Sequence, residues 1–99
     1  MSNQEDGISL PPIVRYKHFK GIYIQDTQDY FLCDFYEVRN TDGSIIYRVE
    51  AELPNKEREW TIDFEPDGSG SWRRITGDIP PAKLERQLVH YIITICLVR

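Results

Sequence analysis

With 99 residues, of which 40% are hydrophobic and 28% charged, the chain has room for one domain and one core, and its composition is ordinary for a globular protein. A formal net charge of -4 works against nonspecific attraction to nucleic acid or an anionic membrane, and no apolar run approaches the roughly 20 residues that span a bilayer. Two cysteines, Cys33 and Cys96, form neither a disulfide framework nor a metal-ligand spacing. Each sits in an apolar run, where a thiol behaves as a small hydrophobe.

Residues 1–12 read as a polar tail that ends in Pro11-Pro12, with residues 13–99 forming a single domain. The first residues lack the basic and apolar stretches of a secretion signal, so the expectation is a cytoplasmic protein with reduced thiols. Two β-prone runs follow, residues 13–19 and 21–24, separated at Lys20-Gly21 by a turn or by a bulge in one strand. Within them, Arg15-Tyr16-Lys17-His18-Phe19-Lys20 interleaves cations with aromatics, as single-stranded nucleic-acid grooves do. Trp72-Arg73-Arg74 extends that patch if the two strands are neighbours. Alternation along a strand splits the run between two faces, however, and the net charge is acidic. Solvated basic stems packed on aromatics therefore explain it better than a nucleic-acid partner.

Gly21-Ile22-Tyr23 resembles the first tripeptide of the GIY-YIG nuclease signature. The second tripeptide is missing, since that region reads Tyr30-Phe31-Leu32, and no matching helix with a catalytic Arg and Glu follows. The resemblance stops at three residues.

A hairpin is expected from residues 30–39 and 44–53, turning at Asn40-Thr41-Asp42-Gly43, because Gly accepts the positive φ that such a turn needs. Ile45, Tyr47, Val49, Ala51 and Leu53 then share a core face. A loop of two or four residues puts Leu32, Tyr36 and Val38 on that same face, and the two-residue version sets Glu37 opposite Arg48. The other side of the first strand carries Phe31, Cys33 and Phe35, so this strand is apolar on both sides and belongs inside the sheet. Asp34 reads as a hydrogen-bonded anchor.

Residues 59–65 alternate Trp60, Ile62 and Phe64 with Thr61, Asp63 and Glu65; a Pro-Asp-Gly turn returns the chain through residues 71–76. Acids crowd the stretch from residue 50 to 67, against a basic stretch at 13–24, which makes the molecule dipolar. Glu59, Asp63 and Glu65 share a strand face; paired carboxylates do acid–base work or bind calcium only in a concave setting, and a charged exposed strand is the commoner explanation. Neither His18 nor His90 has a ligand companion at helical spacing.

Asp78 offers an N-cap for a final helix over residues 82–99. Its stripe is Leu84, Leu88, Tyr91, Ile95 and Val98, flanked by Ile92; Val89, Ile93, Cys96 and Leu97 form a second, nearly opposite strip. Residues 91–98 are rich in β-branched side chains, so composition leaves helix and strand both open there, and the absence of a breaker favours helix.

These readings give an α+β domain: an antiparallel meander of five or six strands with one C-terminal helix packed on one face. No Gly-x-Ser-x-Gly elbow, Cys-x-x-Cys or His-Glu-x-x-His occurs, so no catalytic residue, metal or cofactor is expected. The functional expectation is a non-enzymatic interaction module that binds a protein partner or a second copy of itself through Val89, Ile93, Cys96 and Leu97. The alternative is a small-molecule carrier whose pocket between sheet and helix is lined by Tyr30, Tyr36, Tyr47, Trp60 and Trp72.

Overall fold

A computed structural model describes the backbone of residues 13–97 and the side chains of residues 18–96. The expected tail at 1–12, Val98, and the side chains of Arg15, Tyr16, Lys17 and Leu97 therefore lie outside the described residues. Among the described residues, five strands form one antiparallel sheet in the order β1-β2-β3-β4-β5, a meander. They are β1 (Ile13–Ile24), β2 (Asp29–Arg39), β3 (Ile45–Glu52), β4 (Glu59–Pro66) and β5 (Trp72–Gly77), followed by helix α1 (Ala82–Leu97). Short turns join sequence neighbours, which is why the strands pair in chain order.

The Lys20-Gly21 break is neither turn nor bulge. β1 is one continuous strand, and its irregularity lies between Val14 and Tyr16. Gly21 instead makes room across the ladder: a Cβ there would collide with the Tyr30 phenol, which lies over it. A ring covering a strand glycine restores the packing that the glycine lacks.

The β2–β3 hairpin departs from both expected loop lengths. Asn40 N–H donates to the Ser44 carbonyl (2.8 Å) and Gly43 N–H to the Asn40 carbonyl (3.0 Å), enclosing three residues with Gly43 at φ 90°. The Asp42 carboxylate fixes this form by accepting from Ser44 N–H (2.9 Å) and Ser44 Oγ (2.6 Å). A loop of odd length moves the register by one residue, and one residue exchanges the faces of a strand. Phe35 thus pairs with Val49, Tyr36 with Arg48 and Glu37 with Tyr47. Phe31, Cys33 and Phe35 take the core face, where they are 2%, 0% and 0% exposed. Leu32, Tyr36 and Val38 go to the opposite face, correcting the expectation, and Glu37 does not face Arg48.

The core joins this β2 face to Tyr47, Val49, Ala51, Trp60, Ile62 and Phe64 of β3 and β4, and to Leu84, Leu88, Ile92 and Ile95 of the helix. The helix stripe runs through Ile92, fully buried, with Tyr91 half-buried on its flank, so its centre lies one position from the expected line. The segment expected to be either helix or strand is helical to Leu97. Complete burial of one of these aliphatic side chains stabilises the fold by roughly 1.5–3 kcal/mol, which outweighs the weak strand preference of Ile92, Ile93 and Ile95.

Asp78 does not cap the helix. Its N–H donates to the Thr61 carbonyl (2.9 Å) and its carboxylate accepts from Thr61 N–H (2.8 Å), so it prolongs the β4–β5 ladder. The first helical bond runs from Glu85 N–H to the Pro81 carbonyl (2.9 Å). Two ion pairs then fasten the first helical turn to the two sides of the sheet: Lys83 to Asp26 in the β1–β2 turn, and Arg74 of β5 to Glu85 (3.1 Å). The helix backbone comes close to both edge strands, so the sheet curls around it.

Candidate functional site

Helix α1 buries one side in the core and leaves another outside it. Ala82, Arg86, Val89, Ile93 and Cys96 recur at spacings of four, three, four and three residues, the interval that keeps one narrow seam facing outward. Val89 and Ile93 are half-buried and Cys96 is exposed. Val89 also touches the core from its outer side. Ala82, Glu85, Arg86, Val89, His90 and Ile93 line an open groove of about 560 Å³. Its floor is apolar and its rim carries both charge signs. The structure therefore brings Val89 and Ile93 together in one depression, with Cys96 one turn further along the seam. The Leu97 side chain lies outside the described residues.

The two thiols differ sharply. Cys33 is sealed in the core, where burial, helped by the neighbouring Asp34 carboxylate, pushes its pKa up to about 12. That keeps it protonated and inert. Cys96 is exposed at the far end of the helix, 3.6 Å from the Tyr47 hydroxyl.

The five aromatics of the alternative pocket do not share a cavity. Tyr47, Trp60 and Trp72 lie on the helix side and fill it: Trp60 meets Phe31 edge-on (5.5 Å), and Trp72 meets Tyr47 edge-on (5.1 Å). Tyr30 and Tyr36 lie on the opposite face, where Tyr36 donates to Glu50 (3.3 Å). The one-residue register difference is what separates them.

The basic and aromatic segments are also kept apart, since β1 and β5 form opposite edges of the sheet. Arg73 and Arg74 are held by Glu65 (2.7 Å) and Glu85 (3.1 Å). Lys20 lies over the Tyr91 ring at 4.9 Å, a cation packed on the helix flank. Glu59, Asp63 and Glu65 do share the helix-free face, as alternation requires. There Asp63 grips Arg48 with both oxygens (2.9 and 3.1 Å), which raises the Arg48 pKa further through that hydrogen bond. Among the described residues no three His, Cys, Asp or Glu side chains converge as a metal site, and no helix is long and apolar enough to cross a membrane.

Sequence reasoning missed one arrangement on that face. Asp34 stands directly across from Glu50, and Glu52 directly across from Glu59. No pattern within a single strand signals such pairs, because they exist only once register is known.

No protein-family model matches the chain, and no match is found among curated proteins or among solved structures.

Proposed function

We propose that the protein is a non-enzymatic interaction module that self-associates through the outer seam of α1. The carrying observation is the groove along Ala82, Val89 and Ile93, which follows helix–helix contact spacing on a helix whose other side is already fully committed to the core. A groove of that periodicity fits another helix, and a second copy supplies an identical one. Antiparallel pairing about a two-fold axis near Val89 lays Ile93 of each copy over the start of the other's seam. Completing the burial of Ile93 contributes about 1 kcal/mol per copy, with Val89 adding less. The rim residues Arg86 and His90 stay wet and set orientation more than affinity.

Sedimentation velocity across the micromolar range tests this. The expected result is a concentration-dependent dimer that Ile93→Glu converts to a monomer without moving the thermal unfolding midpoint of that monomer. A wild-type chain that stays monomeric at high micromolar concentration overturns self-association. The small-molecule reading gains no support from the packed positions of Tyr47, Trp60 and Trp72.

A further inference from the structure

The sheet has a second surface, on the face away from α1, which does not rest on the helix seam. Register lays its residues out in rows across the strands. One row pairs Tyr23 with Tyr30; the next runs Gly21, Leu32, Glu52, Glu59; the third runs Phe19, Asp34, Glu50, Thr61. The β1 side is aromatic and open, with Phe19 62%, Tyr23 55% and Tyr30 44% exposed. The β3–β4 side is acidic. Like charges directly opposite across a ladder oppose its formation, yet this face sets Glu52 opposite Glu59, with Glu50 in the next row. The row of Glu52 and Glu59 contains no Lys or Arg. The arginines elsewhere on the face are committed, Arg48 to Asp63 and Arg73 to Glu65. A shallow concavity of about 230 Å³ joins the two halves, with Phe19 and Leu32 on one wall and Glu50, Glu52 and Glu59 on the other.

We propose that this face docks a basic segment of a partner protein, its Lys or Arg head groups over Glu50, Glu52 and Glu59 and adjacent apolar side chains over Phe19, Tyr23 and Tyr30. Charge complementarity selects the occupant. The carboxylates do not converge tightly enough to chelate a metal among the described residues, so a long flexible cation suits them better. Lysine and arginine also bring an apolar stem, which matches the Phe19–Leu32 wall. A free polyamine would satisfy the acids but leave the three aromatics uncovered, whereas a polypeptide covers both halves. Natural chains tolerate a locally unfavourable arrangement where it serves binding, and the opposed acids are such an arrangement.

The test is fluorescence anisotropy with a short labelled peptide of alternating lysine and leucine, beside one in which serine replaces leucine. The expected result is salt-dependent binding of the lysine–leucine peptide, with the serine version weaker by about tenfold. Glu52→Gln with Glu59→Gln weakens binding about tenfold, and Phe19→Ala does the same, while Glu57→Gln with Asp67→Asn, equal in charge but in the turns, changes it less than about twofold. The Glu52/Glu59 double variant also unfolds at a higher temperature than the parent, because repulsion is relieved, so loss of binding is separable from loss of fold. Equal losses in the two double variants would reduce the effect to net charge and overturn the proposal. Indifference to the leucines, or full displacement by spermine at equal concentration, overturns it in favour of a bare cation site.

Discussion

The two faces of the sheet are made of similar residues and behave oppositely. On the helix side, Phe31, Cys33, Phe35, Tyr47, Val49, Ile62 and Phe64 are essentially removed from water. On the other side Val38 is buried, but Leu32 and Tyr36 are only half-buried, and Phe19, Tyr23 and Tyr30 are open. β2 supplies apolar residues to both. Hydrophobicity therefore does not choose the core here; the odd length of the turn at Thr41-Asp42-Gly43 does. What it leaves outside is a surface that is aromatic at one edge and acidic across β3 and β4.

The most direct way to break this comparison is to truncate one residue on each face of the same strand. Phe35→Ala opens a cavity in a sealed core and is expected to cost about 3–5 kcal/mol. Leu32→Ala, three residues away on the open face, is expected to cost about 1 kcal/mol. Urea unfolding of the two variants decides the matter, and equal costs would mean that a second packed layer covers the open face.

A smaller effect sharpens the backbone side of the argument. Gly43 and Gly77 both have positive φ, at 90° and 101°. A Cβ on Gly43 meets nothing, whereas one on Gly77 runs into the Thr61 carbonyl. Gly43→Ala is expected to cost about 1 kcal/mol from conformation alone, and Gly77→Ala about 2–3 kcal/mol because the β4–β5 ladder must also shift. Thermal unfolding midpoints in that order support the close approach; reversed midpoints exclude it.

Much of this was legible before any coordinates. Alternation in β4, where Trp60, Ile62 and Phe64 face inward and Thr61, Asp63 and Glu65 outward, identified its faces unaided, because only one side is apolar. The unbroken run after Ala82 favoured a helix over a strand, and its second apolar strip included Val89 and Ile93, which line the groove outside the core. β2 resisted for a physical reason: with both sides apolar, its pattern is satisfied equally by either register. Asp78 misled because an acid just before a proline-led helix has the right chemistry for a cap, but Thr61 offers it a better partner across the sheet. The opposed acids were invisible because they belong to pairs of strands rather than to any one of them.

The smallest expected effect concerns the device that sets the register. Asp42 and Asp67 hold their hairpins in the same way, each accepting from a serine side chain and backbone N–H two residues on. These bonds, the side-chain one foremost, hold both carboxyls below the ordinary aspartate value near ~3.9. The folded chain therefore binds the proton less readily than the unfolded chain does. Its advantage is complete above the unfolded value and disappears as pH falls through the lower, folded one. Asp42→Asn and Asp67→Asn should thus lower the unfolding midpoint slightly at neutral pH, and the gap from the parent chain should close on acidification below about pH 4. Both turns are fully exposed, so solvent keeps each effect small. Asp42 nonetheless has a consequence that Asp67 lacks, because its turn decides which side of β2 meets the helix. Acid is expected to broaden amide resonances along β2 and β3 in the Asp42→Asn chain before those of β4 and β5. Uniform broadening would show that other contacts fix the register instead.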